Sequence, residues 1–175
     1  RGERTFELLF TPTATRSLAS YGVLRDGLVL NVMDDVKSGV LELRHDGRGW
    51  AAAPVVLPGT GAAAASPVDP FTSNQYWITY QDFLTPASLL LGELGRGRPE
   101  VLKTLPPMFD ATGMTVAQQF ATSADGTRVP YFIVTPKKQA GGAPTLLYGY
   151  GGFEVSMQPF YSGAYGRAWL ARGGT

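Results

Sequence analysis

"NQYWITYQDFLTPASLLLGELG", residues 74–95, is two β-rich runs held around a Pro-containing break. Tyr, Trp, Ile and Thr crowd the first run and Leu the second, residue types that suit a pleated, half-buried surface. The intervening "LTPA" reads as a turn. The same layout stands earlier in the chain, where "GLVLNVMDD" and "SGVLELRHDG" are joined through "DVKSG" and followed by an Asp46-Gly47 turn signal. The two hairpins end alike, in Glu42-Leu43 and Glu93-Leu94, 51 residues apart. A period near fifty with several strands per unit suggests propeller blades, and the regular hairpins of a β-sandwich fit the same pattern.

Between the hairpins runs "VVLPGTGAAAASPVDP", residues 55–70. Gly59-Thr60-Gly61-Ala62-Ala63-Ala64 formally matches a dinucleotide fingerprint, with Asp82 at a tolerable distance for a ribose contact. That fingerprint needs a helix whose N-terminus meets the pyrophosphate. Pro67 and Pro70 leave room for barely one turn. The segment is therefore read as a small-residue loop between two β units.

Bulk composition excludes several classes. The 175 residues are 44% hydrophobic, which is ordinary for a globular chain and argues against disorder. A net charge of +1 with scattered basic residues leaves no electrostatic footprint for nucleic acid or a membrane surface. The uncharged stretch Ala51 to Val68 is interrupted by three prolines and is no spanning helix. With no cysteine and a single histidine, His45, in the turn-like "LRHDGRGW", no metal site is expected and no cofactor is indicated. The opening "RGERTFELLF" has no signal-peptide core and no initiating Met. The chain ends on "LARGGT" directly after an apolar segment, so it reads as an internal piece of a longer, soluble protein of unknown compartment.

Beyond Leu105-Pro106-Pro107 the character changes. "TVAQQFATSADGTRVPYFIVTPKK" predicts two strands around Asp125-Gly126, and "APTLLYGYGG" predicts a short strand buried on both faces. "YSGAYGRAWLARGG" predicts a helix with Gly173 as its stop. Strand, glycine-rich loop and helix open an α/β unit. The expected organisation is all-β propeller blades over 1–105 and the start of an α/β domain over 106–175.

Chemistry is sparse. None of the nine serines has glycine two residues before and two after, so there is no nucleophile elbow and no self-contained Ser-His-Asp set. The informative stretch is "TLLYGYGGFEVS", residues 145–156, where two tyrosines interleave with three glycines. The glycines permit positive φ and close approach to the main chain. A tyrosine on a loop leaving a buried strand could donate its hydroxyl proton to an oxyanion. Spacing alone favours Tyr148 and Tyr150 as core aromatics in a glycine-rich turn.

These residues carry a resemblance. "FDATGMTVAQQFATSADGTRVPYFIVTPKK" followed by "LLYGYGGFEVSMQPFYS" closely resembles the prolyl oligopeptidase family of serine peptidases. Gly-Gly-Phe after Gly-Tyr looks like its prolyl endopeptidase branch, and "YQDFLTPASLLLGEL" resembles the family's last propeller blade. The resemblance is strong from about Tyr76 onward and looser before. It implies a seven-bladed propeller capping an α/β-hydrolase domain that cleaves short peptides on the carboxyl side of proline through an acyl-enzyme. It implies that Tyr150 belongs to the oxyanion hole and that Phe153 lines the pocket for the residue before proline. The family's nucleophilic serine, aspartate and histidine have no counterpart here, so residues 1–175 alone are expected to be inactive without the rest of the parent chain. Relatives cleaving after basic residues or removing acylated termini, and a non-catalytic propeller binding module, are the competing expectations. Short proline-containing peptides are the expected partners, with neither nucleic acid nor membrane.

Overall fold

The computed structural model describes residues 6–136, 142–153 and 155–175. Its first half is two four-stranded antiparallel meanders, each ordered as in sequence. The first comprises β1 (Arg16–Leu24), β2 (Gly27–Asp34), β3 (Lys37–His45) and β4 (Trp50–Pro54). The second comprises β5 (Ala62–Pro67), β6 (Gln75–Gln81), β7 (Ser88–Glu93) and β8 (Glu100–Thr104). A two-stranded sheet follows, β9 (Thr115–Thr122) with β10 (Arg128–Thr135). Consecutive four-stranded meanders are the blade pattern of a propeller. Both hairpins singled out in the sequence are the central pairs of their sheets.

The segment read as a loop, residues 55–70, needs correction: Ala62–Pro67 is a strand, paired with β6 from Ala62↔Gln81 to Pro67↔Tyr76. Alanine has little intrinsic strand preference, so tertiary context decides here. Gly59 and Gly61 lead into this strand and not into a helix, which disposes of the dinucleotide fingerprint.

Strand alternation sorts the side chains of β2 onto two faces. Val29 joins Leu24, Val40, Val55, Ala65, Tyr76, Ile78, Tyr80 and Leu90 in the core between the two blades. Leu30 and Val32 form a second cluster with Leu43, against which Leu9, Phe10 and Trp50 pack. Two buried polar side chains cross the seam between blades. Asn31 Nδ2 donates to the Ala65 carbonyl at 2.9 Å and to Ser20 Oγ at 2.8 Å, while Asn31 Oδ1 accepts from the Ala65 N–H at 2.7 Å. The amide thus pairs with both backbone groups of one residue, as a neighbouring strand would. Glu42, 3% exposed, accepts from Tyr76 Oη at 2.5 Å and from the Gly95 N–H at 2.8 Å. Each buried polar atom is partnered, which is the condition for tolerating it in a core.

Further on, α1 (Gly163–Ala168) is capped by Ser162 and runs into a 3₁₀ turn, Leu170–Arg172, that stops at Gly173 with φ 87°. The sequence-based helix and its stop stand. The expected strand across 143–152 does not form, and Leu147 is 93% exposed. A strand of a parallel sheet exists only beside hydrogen-bonded neighbours. One step of such pairing is present, since the Leu146 N–H donates to the Thr175 carbonyl at 2.8 Å and the Thr175 N–H to the Pro144 carbonyl at 3.0 Å. No helix among the described residues is long and apolar enough to cross a membrane.

Two predictions test this packing. Asn31→Ala leaves the Ala65 peptide without its partner and lowers stability by about 1–3 kcal/mol, read as a drop in the urea midpoint; an unchanged midpoint refutes the clasp. The Tyr76 phenol is held well above the usual tyrosine range by burial, then by its hydrogen bond to Glu42 and that carboxylate's charge. Tyr80 is raised likewise by burial and by Asp82. A raised folded-state pKa contributes stability that is fully present below the unfolded value, about 10, and is lost as pH rises past it. Phenolate absorbance should therefore show two tyrosines ionising only as the protein unfolds in alkali, and a single one, Tyr80, doing so in Tyr76→Phe. Normal titration of all eight tyrosines in the folded protein contradicts the buried pairs.

Candidate functional site

The residues that follow β10 are arranged by aromatic contacts with the blades. Phe83, in the β6–β7 turn, lies 5.6 Å from Phe132 of β10 and 6.2 Å from Phe160, centroid to centroid. Phe160 in turn meets Tyr148 and Tyr165, each at 6.1 Å, and Tyr148 and Tyr165 stand 6.2 Å apart. Tilted and edge-on aromatic pairs at such separations are favourable beyond their buried area. Asp82 holds the turn that carries Phe83, because its Oδ1 accepts from the Leu84 and Thr85 N–H groups at 2.7 and 2.6 Å.

Helix α1 is fitted beneath by its glycines. A Cβ on Gly166 would stand 1.9 Å from the Phe109 ring, so only glycine admits that ring. Phe109 stacks on Tyr161 at 5.3 Å, and Tyr161 Oη accepts from the Met108 N–H at 2.7 Å. Polar contacts complete the junction: Gln118 donates to the Asp35 carbonyl, Gln158 to Met33 Sδ, and the Tyr161 N–H to Gln81 Oε1. None of Phe160, Tyr161, Gln118 or Gln158 stood out in the sequence. The Gly163-x-x-Gly166 spacing was the available signal for a ring packed under the helix.

On this support the two interleaved tyrosines part company. Tyr148, itself 56% exposed, has ring contacts with Phe160 and Tyr165. Tyr150 is outside that aromatic cluster, 51% exposed, and no described residue hydrogen-bonds its hydroxyl. Phe153 is 93% exposed. The positive φ that glycine permits is not used at Gly149, Gly151 or Gly152, and the left-handed residue is Phe153 itself, φ 54°. The Val155 N–H donates to the Gly152 carbonyl at 3.2 Å, which puts Phe153 where a mirror-image turn prefers Gly, Asn or Asp. A bulky side chain in that region is a strained choice, and such strain gathers at functional sites.

Other candidates stay out of this region. His45 Nδ1 accepts from the Gly47 N–H at 3.1 Å, a turn contact, with its ring edge-on to Trp50. An open hollow of about 530 Å³ is lined by Leu84, Pro107, Met108, Phe109, Asp110, Ala111 and Thr112, and neither Tyr150 nor Phe153 borders it.

Comparison with known proteins fits this geometry. No family model matches the chain. It is 37% identical over 169 residues to an uncharacterized peptidase, y4nA, of Sinorhizobium fredii, covering 95% of this chain and 23% of that protein. It is 32% identical over 133 residues to the prolyl endopeptidase of Elizabethkingia miricola, covering 75% and 19% respectively. The chain belongs to the prolyl oligopeptidase family. A post-proline cleaving enzyme of Rickettsia typhi superposes with a TM-score of 0.77 at 26% identity, covering 96% of this chain and 24% of that one. The chain spans about a quarter of the length of the family members it matches. The blades are those of the family's propeller region, which decides for the propeller over the β-sandwich.

Relief of the strained turn is measurable. Phe153→Gly should raise stability by about 1 kcal/mol, the typical cost of a non-glycine residue held in the left-handed region, seen as a higher denaturant midpoint. A fall in the midpoint would mean that Phe153 contributes packing and not strain.

Proposed function

We propose that this chain is part of a serine endopeptidase that hydrolyses short peptides on the carboxyl side of proline through an acyl-enzyme. Residues 1–105 belong to its propeller and 106–175 open its α/β-hydrolase domain. The single parallel pairing step between Thr145 and Thr175, on either side of α1, supports that division. The rest of the protein contributes the serine, histidine and aspartate. The serine attacks the prolyl carbonyl while the histidine takes its proton.

Tyr150 donates from Oη to the oxygen that becomes an oxyanion during attack, and Phe153 packs against the substrate residue before proline. The observation that carries this reading is the loop itself. A half-exposed phenol without a partner among the described residues stands three positions from an exposed, strained phenylalanine. Both follow Tyr148, whose ring meets Phe160 and Tyr165, and the Tyr150 ring makes no such contact among the described residues. A donor matters most when charge develops on its acceptor, so its contribution falls on the transition state more than on substrate binding.

Kinetics of the full-length protein with a proline-containing peptide test this. Tyr150→Phe should lower kcat by about 10²–10³, the usual cost of removing one oxyanion donor, with KM changed little. An unchanged kcat, or a rise in KM alone, refutes the oxyanion role. Cleavage after arginine with none after proline would refute the specificity and leave the family assignment intact.

A further inference from the structure

Three glycines surround and follow Tyr150, and they are not equivalent. A Cβ built on Gly149 or Gly151 meets nothing within 4 Å among the described residues. A Cβ on Gly152 would stand 3.2 Å from Tyr150 Oη, 3.3 Å from Cζ and 3.6 Å from Cε1. The phenol therefore folds back over the main chain two residues ahead of it, and the bare face of Gly152 receives its hydroxyl end. Gly152 is outside the left-handed region, so its φ does not call for glycine. What glycine contributes here is space.

We infer that Gly152 is a positioning residue for Tyr150, its missing side chain setting where the phenolic hydroxyl stands. The inference rests on the oxyanion reading above. A methyl group at 152 forces the hydroxyl outward by a few tenths of an ångström. Donors in an oxyanion hole act within about 2.7–3.1 Å of the developing charge, and catalytic groups must be held within about 0.5 Å of their productive geometry. A displacement of a few tenths of an ångström spans much of that donor range, so it is felt in the transition state, where the hydrogen bond is shortest. Ground-state binding, which depends on the peptide's other contacts, is barely affected. Gly152 never touches substrate in this account. It acts only through the ring it accommodates, and this separates it from a glycine kept for backbone freedom.

The test is a double-mutant cycle in the full-length protein, with Gly152→Ala, Tyr150→Phe and the combined variant assayed on one proline-containing peptide. Active-site concentration is set by stoichiometric inactivation with a fluorophosphonate, so that any unfolded fraction drops out of kcat. Gly152→Ala should lower kcat about tenfold with KM within about twofold, since misplacement by a full ångström costs about a hundredfold. In the Tyr150→Phe background the same substitution should cost nothing further, because the group it displaces has already lost its proton donor. An equal loss in both backgrounds, no loss in either, or a change confined to KM overturns the positioning role while leaving the oxyanion reading in place. If Tyr150→Phe retains full kcat, the oxyanion reading itself falls and takes this inference with it.

Discussion

A side-chain amide standing in for a strand underlies the arrangement. Asn31, on β2, satisfies both the N–H and the carbonyl of Ala65, on β5, across the seam between two blades. Hydrophobic contact would hold the blades together but would let them slide, because burial is non-directional. Two hydrogen bonds to the backbone of one residue specify a register. Glu42 does the same at a second point, joining β3 to Tyr76 of β6 and to Gly95 just beyond β7. With both clasps made, the hairpin turns at Asp35 and at Phe83 are fixed relative to one another.

Those turns are where the remainder of the chain docks. Gln118 reaches the Asp35 carbonyl, and Phe83 starts the aromatic series that runs through Phe160 to Tyr148 and Tyr165. The β2–β3 turn is itself strained, with Asp35 at φ 46° and Val36 at φ 58°, a conformation that β-branched residues rarely adopt. Its two-residue form matches the twist of the flanking strands, which offsets the poor residue choice. Register at the blade seam is thereby passed to Tyr148, and from there to the loop that carries Tyr150 and Phe153. The polar links across this junction among the described residues are made by neutral amides, carbonyls and a thioether.

How much of this was legible follows from the forces involved. The central hairpins were readable because β-branched and aromatic residues alternate there and their pattern repeats after 51 residues. Strand β5 was not, because "AAAASP" has no strand preference and becomes a strand only when β6 and Asn31 satisfy its backbone. The run at 143–152 fails as a strand for the opposite reason: an apolar run indicates burial, but a strand needs neighbours to bond. Tyr150 and Phe153 were marked by resemblance, and spacing alone left Tyr150 as plausible in a core. The left-handed Phe153 had no local signal at all, since sequence rules place glycine at such positions. The rings beneath α1 are specified by long-range packing that only Gly163 and Gly166 foreshadow.

The central claim is that the loop after residue 145 presents the Tyr150 hydroxyl to a charge formed during peptide cleavage. A crystal structure of the full-length protein carrying a tetrahedral adduct of a prolyl aldehyde measures this directly. The account predicts Tyr150 Oη within about 2.7–3.1 Å of the adduct oxygen, with the ring still lying over Gly152. A phenol turned away from the adduct, with that oxygen held by other donors alone, would contradict it.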